Sequence, residues 1–293
     1  WAGRSVRLEF GAAYRDCRAW VNGKPVGRHT GSGWTPFGFP VGVLEPVFRN
    51  VDVWRGQLDT TKTNLLVVRV DNRFSEEALP YKDSFDWAAD GGLIRDVALR
   101  ISPETHFSEL RVEGVPKDDF SSAKIVVAFA GERGFNRELA LRLYGPHGRL
   151  VHSHSQPIET DPKGHFEDEL AFTIADPALW HFDHPNLYRL VARILMNDQI
   201  LHEAEVTFGI RTVEVRDNRF WLNGEPMRLM GVEWMPGSDP RYGMAQDPRV
   251  VREIVNDLKR LNCVLTRFHW QQDDSVLDLF DRKGILLQEE VPA

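Results

Sequence analysis

The hydrophobic period changes partway along this chain, and that change limits the folds open to it more than any other feature. Up to about Gly209 apolar residues alternate with polar ones. From Asp247 onward they recur three and four residues apart, between short apolar runs. Alternation gives strands with one buried face, and spacing near 3.6 gives helices with one buried stripe. An all-β portion is therefore expected to give way to a parallel strand–helix–strand unit within one polypeptide.

The all-β portion divides in two. From Trp1 to about Pro103 the pattern is that of a β-sandwich. Val6, Leu8 and Phe10 alternate with Arg7 and Glu9, and Asn22-Gly23 stands where a two-residue type I′ turn needs positive φ. Leu65 to Val70 reads as a strand buried on both sides, and Val97 to Ile101 closes the block. From Glu104 to Gly209 a second series runs through Leu110 and Val112, then Ile125, Val127 and Phe129, then Leu139, Leu141 and Leu143. Turn signals stand at Gly145-Pro146, Asp161-Pro162 and Pro185-Asn186. Six or seven strands in about 105 residues is the size of an immunoglobulin-like sandwich.

The third block opens with a strand over Arg228 to Val232. Asp247 caps and Pro248 starts a helix whose Val251, Ile254, Val255, Leu258 and Leu261 form one stripe. Cys263 to Phe268 reads as a buried strand, Ser275 to Lys283 as a helix ended by Gly284, and Ile285 to Gln288 as a third strand. Right-handed crossovers make this a parallel sheet. A parallel barrel needs eight such units over roughly 250 residues, so about a third of one is present. The expected fold is multidomain: an all-β sandwich over 1–103, an immunoglobulin-like sandwich over 104–210, and over 211–293 the first third of a (β/α)8 TIM barrel. The missing initiator Met, the immediate entry into a strand and the short third block lead us to expect the front part of a larger enzyme, with compartment unreadable.

Composition excludes some partners. The chain has 293 residues, 42% hydrophobic and 27% charged, with a net charge of −7 and no cluster of Lys and Arg along the sequence. Nucleic acid is not an expected partner. No run of 18 apolar residues occurs, so no membrane span is expected. Cys17 and Cys263 lie far apart and read as small core residues.

In a barrel the chemistry sits at the carboxyl ends of the strands. That rule selects Glu233, Trp234, Met235 and Pro236, then Arg267, His269 and Trp270, then Glu289 and Glu290. Aromatics, a His, an Arg and carboxylates round one cleft suit a sugar, with its apolar C–H face and its hydroxyls. The alternative is that Trp234 and Trp270 are core aromatics and Arg267 forms a structural ion pair with Glu289 or Glu290. Glu289 and Glu290 are adjacent on a strand and point to opposite faces, which opposes a catalytic pair about 5 Å apart. His152 and His154 share a strand face but lack a third ligand. Asp83, Asp86 and Asp90 lack the glycine and closing Glu of a calcium loop, so no metal site and no cofactor are assigned, and a bound Mg²⁺ or Na⁺ stays open.

The order of these blocks, with GGLIRDV at Gly91 to Val97, FGIRTVEVRDNRFWLNGEPMRLMGV at Phe208 to Val232 and NCVLTRFHWQQDDSVLDLFDRKGILLQEE at Asn262 to Glu290, resembles the family 2 glycoside hydrolases. That family includes β-galactosidases, β-glucuronidases and β-mannosidases. The resemblance covers nearly the whole chain and implies that the first sandwich is a jelly-roll sugar-binding domain. It carries over Asp86, nine positions before Arg95, as a substrate contact, and His269, twelve before Asp281, as a sugar-binding His. Arg267 fits less closely, because the family's Arg lies nearer the Asn that begins the segment. Where galactosidases and glucuronidases have Gly-Val-Asn, a basic residue, His and Glu, this chain reads Gly231-Val232-Glu233-Trp234-Met235-Pro236, so the glycone stays open.

The resemblance implies a retaining mechanism with two Glu after the fourth and seventh barrel strands. Both would lie beyond Ala293, so no catalytic residue is assigned and the chain alone is expected to be inactive. The expected substrate contacts are Asp86, Trp234, Arg267, His269, Trp270, Glu289 and Glu290, the expected partner is a carbohydrate, and a homo-oligomer stays open. The competing class is a non-catalytic carbohydrate-binding or scaffolding protein.

Overall fold

The computed structural model describes residues 4–47, 51–56, 58–59, 62–77, 79–80, 82, 90–235, 237 and 239–291. The chain is mostly β-strand in sandwich-like sheets, with two helices among these residues. In the first segment the strand Arg4–Phe10 turns Val6, Leu8 and Phe10 into the core, none more than 3% exposed. It pairs antiparallel with Phe37–Val47 on one side and Val97–Pro103 on the other. A second sheet places Asp16–Val21 between Lys24–His29 and Leu66–Asp71. Its Cys17, Ala19 and Val21 join Val6, Leu8 and Phe10 in one core. Asn22 and Gly23 close its hairpin with φ of 51° and 78°, the left-handed pair that a type I′ turn demands.

The run beginning at Leu65 is not buried on both sides. Leu66–Asp71 lies at the end of its sheet among the described strands. Val68 and Val70 pack on the core, while Leu65, Leu66 and Val67 stay exposed. Apolar runs are covered on both faces only where layers lie on both sides, and this sheet has its core on one.

The second segment contains seven antiparallel strands. His106–Pro116, Ser122–Glu132 and Phe166–Ala175 form one sheet. Leu150–Pro157, Glu138–Tyr144, Tyr188–Met196 and Gln199–Phe208 form the other. Ile125, Val127 and Phe129 from the first meet Leu139, Leu141 and Leu143 from the second in a shared core. His152 stacks on Phe172 with ring centroids 3.9 Å apart, and His154 bonds to Gln156.

A three-stranded meander, Val213–Arg216, Arg219–Leu222 and Glu225–Met227, leads into the third segment. The strand expected over Arg228 to Val232 therefore begins later, at Gly231–Glu233, because the residues just before it close the meander through Asn223-Gly224. Gly231–Glu233, Leu265–Phe268 and Leu286–Glu289 then form a parallel sheet in that order. The crossovers are α1 (Pro248–Arg260) and α2 (Asp274–Lys283). Asp247 caps α1 by accepting from Arg249 N at 2.7 Å, with Pro248 in the first turn where no backbone N–H is missed. Val251, Val255 and Leu258 are buried, but Leu261 is 67% exposed. It occupies the C-cap, where the backbone has left the helical path and the side chain no longer follows the stripe. Both cysteines are free and buried, and burial pushes the Cys17 thiol up to about 11.

The second and third segments interlock. Buried Trp180 donates its indole N–H to Asp281 O at 2.7 Å, and Arg211 lies 4.5 Å over the indole while pairing with the Asp281 carboxylate at 3.1 Å. Burial raises the Asp281 pKa, and Arg211 pulls it back. Lys259 Nζ donates to Phe182 O and Gly284 O. Gly284 ends α2 with φ of 68°, and a Cβ there would stand against the Phe182 carbonyl. No helix among the described residues is long and apolar enough to cross a membrane. Gly284→Ala combines left-handed strain with a backbone clash, so it should destabilise the third segment by about 2 kcal/mol or more. A urea titration followed by tryptophan fluorescence would check this, and an unchanged midpoint would refute the interlock.

Candidate functional site

The three parallel strands deliver their charged residues to one edge. In register, Glu233 stands opposite Arg267, and Phe268 opposite Glu289. Thr266 fixes the first two strands together by donating to Val232 O at 2.8 Å, and Glu290 N extends the pairing of the next two by donating to Phe268 O. Arg267 is thereby held between carboxylates from both neighbours. Its Nη1 donates to Glu233 Oε1 at 2.8 Å and its Nε to Glu290 Oε1 at 2.5 Å. His269 Nδ1 lies 3.1 Å from the same Glu233 oxygen. The hydrogen bond from Arg267 holds the Glu290 carboxyl below the ordinary glutamate range, against the smaller opposing effect of burial.

Neighbouring residues go elsewhere. Trp234 turns to the helix side and packs on Phe268 and Phe280 at 5.1 and 6.5 Å, inside the core that α1 and α2 cover. Glu289 accepts from Gln272 N at 2.8 Å, steadying the loop after the second strand. Trp270 is buried from that loop against Trp34, nearly parallel at 5.2 Å, and the Tyr14 ring is tilted against Trp34 at 4.9 Å.

Arg95 ties these pieces together. One Nη donates to Trp34 O and the other to Gln271 O, each at 2.5 Å. Its burial lowers its pKa, opposed by Asp273, Asp274 and Glu289. Asp90 adds a bond from Met244 N at 3.2 Å. A cleft of about 550 Å³ lined by Trp34, Arg95, Tyr242, Met244 and Trp270 lies on the helix side of this contact, also lined by residues of α1 and α2. Glu233, Arg267 and Glu290 do not line it, so it is separate from the charged edge.

Of the sequence-expected contacts, the structure gathers Arg267, His269 and Glu290, and adds Glu233 as the link between them. Glu289 and Trp270 adjoin the group but bond to its supporting loop, and Trp234 is not brought into it. Asp86 lies outside the described residues. Arg95 and Trp34 were missed as site residues. Arg95 had a signal in Gly91 to Val97, but nothing in the turn around Trp34 marked it. Chemically, the edge offers two carboxyl groups, a guanidinium and an imidazole, suited to holding hydroxyl groups.

The profile of Glycosyl hydrolases family 2 matches residues 105–211. The chain is 31% identical over 297 aligned residues to a β-galactosidase of Thermoanaerobacter pseudethanolicus, covering 99% of this chain and 37% of that protein. It is 27% identical to the β-glucuronidase of Mus musculus, over 98% of this chain and 44% of the relative. A solved Bacteroides uniformis β-glucuronidase 2, covalently bound to cyclophellitol-6-carboxylate aziridine, superposes with a TM-score of 0.87 at 25% identity, over 100% of this chain and 34% of that one. The chain thus spans less than half the length of these proteins.

Because Arg267 depresses the folded-state pKa of Glu290, the pair stabilises the fold above the ordinary glutamate pKa and ceases to do so as pH falls through the depressed value. In an Arg267→Met variant the Glu290 carboxyl should titrate at higher pH, as read by side-chain carboxyl NMR. Identical titration in both proteins would contradict the bridge.

Proposed function

Since the chain belongs to glycoside hydrolase family 2, we propose that it is the N-terminal part of a retaining β-glycosidase. In this reading residues 1–103 are a jelly-roll sugar-binding domain, 104–210 an immunoglobulin-like domain and 211–293 the start of a (β/α)8 barrel. One observation carries the proposal: three parallel strands present Glu233, Arg267, His269 and Glu290 together at their carboxyl ends, the side from which barrel enzymes work.

Retaining hydrolysis needs one carboxyl to protonate the leaving oxygen and another to attack the anomeric carbon, and water then releases the sugar. Neither role suits the carboxylates of this chain. Glu233 and Glu290 are both tied to one guanidinium, and Glu289 is bonded to its own loop. The two catalytic Glu belong to later barrel strands, beyond residue 293. The groups here hold the glycone. Glu233 and Glu290 accept from sugar hydroxyls, His269 adds a donor or acceptor, and Asp86 is the further contact that the family resemblance implies. Trp270 and Glu289 keep the loop in place.

The edge also favours one substrate class. Arg267 is flanked by two carboxylates, so it is not free to seat a third, and Glu233 and Glu290 together outweigh its charge. A uronide carboxylate would meet like charge there, which costs several kcal/mol when desolvated. A neutral glycone is the better fit.

The test uses p-nitrophenyl β-glycosides. The purified 293-residue chain should release no p-nitrophenol. The protein carrying the remaining barrel units should hydrolyse a neutral glycoside with retention, at a kcat/KM at least about tenfold above that for the matching glucuronide. Turnover by the 293-residue chain would overturn the placement of the catalytic Glu, and preference for the glucuronide would overturn the electrostatic argument.

A further inference from the structure

A second grouping lies in the first segment, on the sheet built from Asp16–Val21, Lys24–His29 and Leu66–Asp71. Arg18 is in register with Arg28 on one neighbour and with Arg69 on the other. Cys17 and Ala19, on either side of Arg18, enter the core, so the pleat turns the arginine row outward. Like charges directly opposite each other on adjacent strands are destabilising. Three in a row on a chain of net charge −7 is a local surplus.

The surplus is only partly balanced within the protein. Arg69 reaches Asp71 at 3.3 Å, but Arg73 holds the same carboxylate at 2.6 Å and is the main cause of its depressed pKa. Arg18 and Arg28 have no ion-pair or hydrogen-bond partner through their side chains among the described residues. Together with Arg73, Thr30, Gly31 and Ser75 these arginines surround a hollow of about 280 Å³, which Asp16, Asp71 and Glu77 also line. Two residues further along the central strand, on the same outward face, comes an apolar row in which Trp20 stands in register with Pro25 and Val67. Strand geometry sets the two rows about 7 Å apart.

We propose that this face binds an anionic glycan. Its sulfate or carboxylate seats against Arg18 and Arg28, whose planar forks match such oxyanions in paired hydrogen bonds. The sugar ring attached to it lies on Trp20, with its C–H face against the indole. A nucleic acid is disfavoured because one short basic row gives no track for a phosphate backbone. This proposal does not depend on the reading of the charged strand edge, and it needs only residues of this chain.

The experiment is calorimetric titration of the 293-residue chain with three galacto-oligosaccharides of equal length: sulfated, uronate-bearing and neutral. The sulfated or the uronate ligand should bind, with affinity falling as salt rises, and whichever binds more tightly identifies the anion. Arg18→Ala with Arg28→Ala should weaken binding by about tenfold or more, and Trp20→Ala should weaken the oligosaccharide without changing weak binding of inorganic sulfate. Should the double variant unfold by circular dichroism, Arg18→Lys keeps the charge, loses the fork and should still weaken binding measurably. Equal binding of the neutral ligand, or no effect of the arginine substitutions, would overturn the proposal. So would inorganic sulfate binding as tightly as the sulfated sugar, which would mean an anion site without a glycan.

Discussion

Arg95 joins two parts of the chain that lie 176 residues apart. Its fork bonds the carbonyl of Trp34 and that of Gln271, next to Trp270, and the two indoles stack. Each of these part-buried hydrogen bonds is charge-assisted, and losing one would leave a carbonyl without its partner. The consequence reaches the charged edge through one more step. Gln272, which follows the Arg95-bound Gln271, binds both Glu289 and the Trp270 carbonyl, so the loop after the second parallel strand has little freedom left. A residue of the first sandwich therefore sets the shape of the strand ends where the sugar chemistry is proposed.

Along those strand ends the pleat sorts residues by parity. Glu233 faces the open edge and Trp234 the helices; Glu290 faces Arg267 and Glu289 the supporting loop. Adjacent positions of similar character thus do different work. The arrangement explains why one guanidinium can bridge carboxylates of two neighbouring strands without drawing Glu289 into the same cluster.

Much of this was legible in the sequence where a local rule governs a local shape. The Asn22-Gly23 turn, the Asp247-Pro248 start of α1 and the Gly284 end of α2 depend on φ and on missing or capped N–H groups, which a residue type announces. The change of period located the parallel unit. What could not be read was whatever depends on the third dimension. Leu261 fits the helical stripe in number but falls on the cap. Leu65 to Val67 look like core until the sheet is seen to be covered on one face. The two candidate tryptophans have the same sequence character, yet one packs under the helices and the other on Trp34. The arginine row is invisible in sequence, because Arg18, Arg28 and Arg69 are neighbours only through strand register.

The surfaces on which the parallel unit docks come from earlier in the chain: Trp34 and Arg95 from the first segment, Trp180 and Phe182 from the second. Chains fold from the N-terminus as they are made, domain by domain. The sandwiches can thus stand as a finished platform when Gly231 to Glu289 leave the ribosome. The half-formed helices meet a template rather than solvent, and the order of synthesis matches the order in which contacts become available.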